Sequence, residues 1–156
     1  MRRKDREVTD LTKICEIMKR CDCCRVGFCD EGQVYIVPLN FGYIQKEGNF
    51  VIYFHGAKVG RKASLIQKAP HVGFEMDTDH KLNEAESACD YSYRFQSIIG
   101  NGIIREIDDL EEKKQGLNCI MEHATGRQEW EYPENMLKGV GVFKLVVEEL
   151  SCKEHL

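Results

Sequence analysis

The sequence predicts a mainly β fold: a small antiparallel barrel with two or three helices at its periphery. Two observations support this class. Six segments are rich in β-branched and aromatic residues, and short turn-forming stretches join several of them, as in hairpins. No G-x-G-x-x-G motif opens a helix after a strand, which argues against a βαβ dinucleotide-binding fold. The six predicted strands are residues 25–29, 34–41, 50–55, 71–76, 93–107 and 140–150.

The first half of the chain contains a capped helix and two hairpins. Thr9-Asp10 precedes a helix with one apolar face, formed by Leu11, Ile14, Cys15 and Met18. Residues 30–33 and 46–49 are turn-forming and link the strands on either side of them. In residues 34–41 apolar side chains occupy both alternating sets of positions, so both faces of this strand are expected to be covered.

The second half of the chain adds three helical segments and a predicted loop. A helix is expected over residues 61–69, where Pro70 closes it. Residues 77–91 show no period and are predicted to form a long functional loop. Asp108-Asp109 should cap a helix that ends at Gly126, and a short helical turn is expected between Pro133 and Gly139. The last six residues are expected to be a tail, and residues 1–156 a single domain.

Composition limits the function classes. A chain of 156 residues can bury about 70% of its unfolded surface, enough for an independent core. The net charge of −4 does not favour nucleic acid or an anionic membrane as a partner. No apolar run is long enough to span a bilayer, and the first residues lead into charge rather than a signal sequence. We expect a cytoplasmic protein.

Eight cysteines are an unusual number for this length. Without a secretory signal they are expected to be free thiols. Cys21, Cys23, Cys24 and Cys29 are close in sequence, but their C-x-C-C-x4-C spacing lacks the paired C-x2-C knuckles of common zinc sites. Small packing residues are therefore the favoured interpretation of this cluster, and no metal site is predicted.

Two cations at a helix start predict an anion-binding site. Arg61 and Lys62 follow a glycine-containing turn, where free backbone N–H groups and the helix dipole both favour negative charge. A phosphate-bearing ligand lying along the neighbouring strands is the first hypothesis. Arg2, Arg3 and Lys4 could also reach an anion, although such an arm is more often solvated. Further along, Gln96 and Ser97 carry groups that could bond a ligand or a neighbouring strand.

Several of these segments together resemble a known family. PLNFGY (38–43), YFH (53–55) and GRK (60–62) resemble the flavin-binding split-barrel proteins related to pyridoxamine 5′-phosphate oxidase. Within that group the chain is most similar to the 5-nitroimidazole resistance proteins. MRRKDRE, Cys89-Asp90 and FQSIIGNG (95–102) match the same pattern, so the similarity covers nearly the whole chain.

The resemblance implies a six-stranded split β-barrel that forms a homodimer, with FMN (or FAD) in the clefts between subunits. Arg61 and Lys62 match the family's phosphate clamp, and Arg127 is expected to accompany Trp130 near the partner's flavin. The residues implied to bind the cofactor are Val37, Pro38, Leu39, Asn40, Phe54, His55, Arg61, Lys62, Gln96, Ser97 and Trp130. Independently of the family, Pro38 lacks an N–H group and suits an edge or ligand-facing position.

The implied activity is reduction of a nitroaromatic or related acceptor, with His55 as the candidate proton donor. His55 could equally be a hydrogen-bonding residue of the site wall. Two other functions stay open: a flavin- or haem-binding module for storage, sensing or stress, and a pyridoxamine 5′-phosphate oxidase. The last is disfavoured, because the chain ends EELSCKEHL without the Arg-x-His-type segment that grips that substrate's phosphate.

Overall fold

The computed structural model describes residues 3–156, so Arg2 of the basic arm lies outside the described residues. Short 3₁₀ turns occupy Lys4–Arg6 and Ala88–Asp90. The helices are α1 (Leu11–Arg20), α2 (Arg61–Lys68), α3 (Leu110–Thr125) and α4 (Glu134–Gly139). The strands are β1 (Glu7–Val8), β2 (Cys24–Asp30), β3 (Gln33–Leu39), β4 (Phe41–Lys46), β5 (Asn49–Gly56), β6 (His71–Asn83), β7 (Ser92–Glu106) and β8 (Gly141–His155).

These strands form one eight-stranded sheet in the order β3-β2-β6-β7-β8-β5-β4, with β1 beside β8. Every pairing is antiparallel. Strands β3 and β4 are the two ends of this order, yet only Asn40 separates them in sequence. Two Cα–Cα steps span at most about 7.6 Å, so the two edges must approach each other there. The sheet is therefore curled into a barrel that is split between β3 and β4, which confirms the predicted fold class.

The predicted strand count of six was too low by two. Strand β1 was not anticipated. The predicted strand over residues 34–41 covers most of β3 and only the first residue of β4, Phe41, with a break at Asn40. The break has a physical reason. Strands β3 and β4 belong to opposite edges of the sheet, so the chain has to change direction at this residue, where alternation of apolar side chains carries no signal.

The expectation that both faces of residues 34–41 are covered was also wrong for the single chain. Tyr35, Val37 and Leu39 pack against the barrel core. On the opposite face, Val34 is 75% exposed and Ile36 is 61% exposed. Strand β3 is an edge strand of the barrel, and no helix within residues 3–156 covers its outward face.

About half of residues 77–91 is strand rather than loop. Strand β6 continues to Asn83, which pairs with Ser92 of β7, and a β-bulge lies between Thr78 and Lys81. Residues 84–91 connect the two strands, as the predicted loop does, and contain the 3₁₀ turn Ala88–Asp90. This part of the hairpin is largely exposed and therefore carries no apolar period. The hydrogen-bond ladder to β7 extends the strand where side-chain pattern could not predict it.

The expected C-terminal tail is part of β8. Ser151 to His155 pair with β7, and Cys152 also lies opposite Val8 of β1. Cys152 is 1% exposed and anchors this segment in the core. A single buried cysteine among polar residues was too weak a signal to predict a strand.

The helices begin where their caps predict. The Asp10 carboxylate accepts a hydrogen bond from the Lys13 N–H at 2.7 Å, and Asp109 accepts one from the Glu112 N–H at 2.8 Å. Gly126 ends α3 with a φ of 72°. Helices α1 and α2 contribute Ile17, Met18, Leu65 and Ile66 to the barrel core. Among residues 3–156, no helix has the length and apolar character needed to cross a bilayer.

Helix α3 packs against the outside of β4 and β5. The approach is closest at Gly42, where a Cβ atom would lie 2.2 Å from the carbonyl carbon of Cys119. Only glycine fits at this crossing. Strand β5 is thus held between β4 and β8 with α3 behind it, and its C-terminal end, His55-Gly56, leads directly to the turn before α2.

Candidate functional site

The start of α2 carries a buried cation without a partner. Gly60 precedes the helix with a φ of 109°, a conformation that favours glycine. The Nζ atom of Lys62 is buried and has no hydrogen-bond partner among residues 3–156. It lies 4.3 Å from the centre of the Phe143 ring, and burial lowers the pKa of this ammonium group. A buried cation is costly unless it is paired, so this atom indicates a place for an anion.

Gly56 lets the Lys62 side chain lie against the backbone of β5. A Cβ atom at this position would lie 2.5 Å from the Lys62 Nζ atom, so the ammonium group occupies the space that a side chain would need. Gly56 is the last residue of β5 and pairs with Gly141 of β8. The turn from Gly56 to Gly60, the first N–H groups of α2 and the adjacent cations Arg61 and Lys62 together form a cationic corner suited to a phosphate.

Arg61 has different surroundings. Its Nε and Nη2 atoms donate hydrogen bonds to Asp30 Oδ2 at 2.9 and 2.7 Å. The guanidinium group also lies 4.2 Å from the centre of the Tyr35 ring. The two residues of the predicted clamp therefore point to different places: Lys62 into the barrel wall, and Arg61 towards the β2–β3 hairpin.

The predicted ring-binding segment, residues 37–40, lies at the split of the barrel. Strand β3 pairs with β2 on one side and is the last strand of the sheet on the other. An edge strand presents unpaired backbone N–H and C=O groups, which is compatible with the expected backbone contacts to a flavin ring. Val37 and Leu39 are half-buried against the core, whereas Pro38 and Asn40 are exposed.

His55 and Phe54 are neighbours in β5 but lie on opposite faces. The imidazole of His55 is exposed, and its backbone lies opposite Val142. Phe54 is 0% exposed in the core, so its side chain is unavailable to a ligand on the surface. Of this pair, His55 alone presents its side chain beside the turn that leads to Lys62.

The structure does not bring Gln96 to the cationic corner of the same chain. Its amide Oε1 accepts a hydrogen bond from Arg20, and its Nε2 donates one to Glu154 at 3.0 Å. Ile104, eight positions further along β7, bonds to Pro70 just after α2. At about 3.3 Å per residue, the length of strand between Gln96 and that point is roughly 26 Å. Ser97 pairs with Asp77 and Lys153 at the same remote end of the barrel.

Trp130 is held within the loop between α3 and α4. Its indole N–H donates to the Arg127 carbonyl at 3.1 Å, and the Arg127 guanidinium group lies 4.6 Å from the ring centre. The expected contact of this pair with a flavin of a partner subunit stays a prediction.

Sequence reasoning missed four residues that shape this corner: Asp30, Tyr35, Gly56 and Phe143. Asp30 carried no usable signal, because its contact with Arg61 joins residues 31 positions apart in sequence. Phe143 carried none either, since its position against Lys62 depends on the pairing of β5 with β8, two strands far apart in sequence.

The four clustered cysteines do not share one environment. Cys21 and Cys24 are fully buried, Cys23 is half-buried and Cys29 is exposed. Burial raises the pKa of the Cys21 thiol to about 12, so this thiol is protonated and unreactive at neutral pH. No group of His, Cys, Asp and Glu within residues 3–156 is arranged to hold a metal ion.

The outward face of the barrel carries an apolar groove of about 300 Å³. Val34, Ile36 and Ile99 line it, and Ile99 is 51% exposed. Arg25 lies at one side, where it bonds to Glu75 at 3.0 Å and to Asp77 at 2.7 Å. Exposed apolar residues grouped in this way are typical of an interaction surface.

Residues 10–154 match the model of a family described as pyridoxamine 5′-phosphate oxidase. The chain belongs to this family. The match includes the β3 edge, His55, the cationic corner at α2 and nearly all of β8, so the candidate site lies wholly within the family region. A comparison with curated proteins found no match.

Several solved structures of other proteins show the same fold as this chain. A candidate 5-nitroimidazole antibiotic resistance protein from Bacteroides thetaiotaomicron is 32% identical, with a TM-score of 0.82 over 95% of this chain and 86% of its own. A flavocytochrome from Azotobacter vinelandii is 20% identical, with a TM-score of 0.80 over 100% of this chain and 72% of its own. An FAD- and haem-binding protein from Mycobacterium smegmatis is 15% identical, with a TM-score of 0.80 over 96% and 73%.

Proposed function

We propose that this protein is a flavin-dependent reductase that binds FMN and reduces nitroaromatic compounds of the 5-nitroimidazole type or related acceptors. The observation that carries the proposal is the buried Nζ atom of Lys62 at the start of α2, which has no hydrogen-bond partner within residues 3–156. The likeness to the Bacteroides protein, at 32% identity, supports the choice of acceptor. The similar flavocytochrome and FAD- and haem-binding protein support a flavin as the cofactor, and FAD is the alternative to FMN.

The residues of the cationic corner fit a flavin phosphate. Arg61, Lys62 and the first N–H groups of α2 would hold the phosphate, and Gly56 lets the Lys62 ammonium group lie close to the β5 backbone at this turn. The exposed edge of β3 at residues 37–40 would accept the flat ring through backbone groups, with Pro38 facing the ligand without a competing N–H.

When bound, the flavin supplies the electron transfer, and the protein contributes binding, orientation and protons. His55 is exposed beside Gly56, and an imidazole can donate a proton from a ring nitrogen. We assign His55 the role of proton donor to the reduced acceptor. Gln96 and Ser97 of the same chain are too remote to join this site, so a contribution from them requires a second subunit.

We propose a homodimer for two reasons. The first is that Gln96 and Ser97 are remote from the site of their own chain. The second is an exposed apolar surface. The apolar groove along Val34, Ile36 and Ile99 leaves large apolar side chains in solvent in the single chain. A second copy packed on this face would bury them and would cover the outward side of β3, next to the proposed ring site. The proposed setting is the cytoplasm, where the eight cysteines would stay free thiols.

The test is the absorbance spectrum of the purified protein, with mass spectrometry of the released chromophore. FMN is expected. Bound flavin is then reduced chemically under anaerobic conditions and mixed with a nitroimidazole in stopped flow. Reoxidation of the flavin by the nitroimidazole would support reductase activity. The relatives that bind haem favour one second candidate, a binding module: a haem spectrum, or reduced flavin that ignores nitro compounds, would favour it. Protein that binds no flavin would overturn the cofactor assignment.

A further inference from the structure

The two adjacent cations of the cationic corner differ in one respect that bears on ligand affinity. The Lys62 ammonium group has no hydrogen-bond partner in the described part of the chain, residues 3–156, whereas Arg61 is already bonded to a carboxylate of the same chain. An arginine has five donors in a planar fork, and two of them, on Nε and Nη2, are directed at one oxygen of Asp30. Nε and Nη2 form one of the two edges through which a guanidinium group can bind a phosphate bidentately.

The position of Asp30 is fixed by its hairpin. Asp30 is the last residue of β2 and pairs with Gln33, across a two-residue turn in which Glu31 has a φ of 52° and Gly32 a φ of 84°. Positive φ at both central positions is the geometry of the tight turns that hold strands in register. The carboxylate is therefore held by the sheet rather than carried on a mobile loop.

An aromatic ring also packs against the flat face of the Arg61 guanidinium group. Tyr35, two residues after Gln33 in β3, places its ring 4.2 Å from the Arg61 Cζ atom. Arg61 is about half exposed and Asp30 is 29% exposed, so the pair lies at the surface of the site and within reach of a ligand. A phosphate that approached the Arg61 guanidinium group would come close to the Asp30 carboxylate, which is already hydrogen-bonded to that group.

We propose that Asp30 competes with the flavin phosphate for Arg61 and so weakens the binding of phosphate-bearing flavin. This inference rests on the proposed function. Lys62 supplies the uncontested attraction, while Asp30 neutralises Arg61 in the ligand-free protein and must share or release it when FMN binds. Like charges within a few ångströms at a partly exposed site oppose each other strongly enough to change affinity severalfold.

The consequence is specific to the phosphate. Removing the charge of Asp30 should strengthen the binding of FMN by about threefold to thirtyfold. Riboflavin, which has the same ring and ribityl chain without the phosphate, should bind with unchanged affinity. A change that affected both ligands equally would mean a change of the pocket rather than of the phosphate contact.

The experiment titrates flavin-free protein with FMN and with riboflavin and follows flavin fluorescence. Asp30→Asn is the test variant, because an amide oxygen can still accept a hydrogen bond from Arg61 and keep the hairpin intact. Asp22→Asn is the matched control: it makes the same change of net charge before the opposite end of β2. Asp30→Asn should raise FMN affinity selectively, and Asp22→Asn should leave both affinities unchanged.

A second arm tests the competition itself. In a protein that already carries Arg61→Gln, Asp30→Asn should give little further gain. A full gain in that background would mean direct repulsion of the phosphate and would overturn competition for Arg61. Unchanged or weaker FMN binding by the Asp30→Asn variant alone would also overturn competition for Arg61. Weaker binding would mean that Asp30 positions Arg61 for the phosphate. Binding of neither flavin by wild-type or variant protein would overturn the proposed function together with this inference.

Discussion

At the residue scale, the buried ammonium group of Lys62 costs stability. It has no hydrogen-bond partner within residues 3–156, and burial lowers its pKa because the charged form is poorly solvated. The phosphate of the proposed flavin would remove this cost, and the relief would add to its affinity. Stability given up at a functional site is common in proteins.

Lys62→Met should therefore stabilise the flavin-free protein. Methionine keeps most of the length of the side chain and places an apolar methyl group near Phe143, but it removes the buried charge. We expect a rise in melting temperature of a few degrees, corresponding to about 1 kcal/mol. The measurement is thermal unfolding of the flavin-free protein followed by circular dichroism.

Lys68→Met is the matched control for this prediction, because Lys68 is exposed in the last turn of the same helix. It should leave the melting temperature within about 1–2 degrees of wild type, since surface changes are small. A destabilised Lys62→Met protein, with Lys68→Met unchanged, would contradict the view that the Lys62 charge is uncompensated.

His55 provides a second prediction at the residue scale. Because its ring is exposed and separate from Lys62, His55→Gln should retain its flavin. The rate at which a nitroimidazole reoxidises the reduced flavin should fall by about tenfold to a hundredfold if His55 delivers a proton. Stopped-flow absorbance under anaerobic conditions measures this rate. An unchanged rate would mean that the His55 imidazole only lines the site and does not deliver a proton.

At the element scale, one ion pair and two hydrogen bonds connect α1 to the ends of β7 and β8. Glu154 bonds to Lys13 of α1 and to Gln96 of β7, and Gln96 bonds in turn to Arg20 at the end of α1. The hydrogen bond from Lys13 is the main reason that the pKa of Glu154 lies below its ordinary value of 4.5. This network accounts for the ordered end of β8, which the sequence pattern had not predicted.

Glu154→Gln should destabilise the protein at neutral pH but not in acid. A carboxyl whose pKa is lower in the folded state contributes stability above its ordinary pKa and loses it as the pH falls through the folded value. Urea unfolding at pH 7 and near pH 3 measures the difference. The variant and wild type should differ at pH 7 and converge as the pH falls below 4.5. An equal difference at both pH values would contradict an electrostatic role.

Sequence predicted the elements best where local chemistry determines them. The caps at Asp10 and Asp109, the end of α3 at Gly126 and the hairpin turns are short-range features, and the structure confirms them. The outer part of the β6–β7 hairpin and the end of β8 are held by pairing between distant segments, so their exposed or mixed side chains did not predict strands.

The same distinction applies to the candidate site. The cationic pair at the start of α2 was visible as two adjacent letters, Arg61 and Lys62, after a glycine-containing turn. The difference between the surroundings of Arg61 and Lys62 was not visible in the sequence, because Asp30 and Phe143 come from strands that are distant from α2 along the chain. The remoteness of Gln96 likewise depends on the long extension of β7 along the barrel.

At the scale of the whole molecule, the split barrel places its apolar outer groove and its unpaired β3 edge side by side. The proposed dimer would use the first surface to complete a ligand site at the second. Burying a side chain of the size of Val34 or Ile36 contributes about 1.5–3 kcal/mol, so a few such contacts from each subunit can support association.

Ile36→Asp should therefore give a monomer that binds flavin weakly. Met136→Asp is the matched control, because Met136 is 64% exposed on α4, away from the barrel face. Sedimentation velocity at micromolar concentration measures the state of association. A flavin-loaded wild-type monomer, or an Ile36→Asp dimer that keeps its flavin, would contradict the proposed interface.

The central claim is that Lys62 and the start of α2 bind the phosphate of a flavin. The most direct measurement is the ratio of FMN to riboflavin affinity in wild-type and Lys62→Met protein. Loss of a charge-assisted hydrogen bond of about 1.5–3 kcal/mol predicts that FMN affinity falls about tenfold to a hundredfold while riboflavin affinity is unchanged. An FMN to riboflavin ratio that is the same in both proteins would contradict the claim.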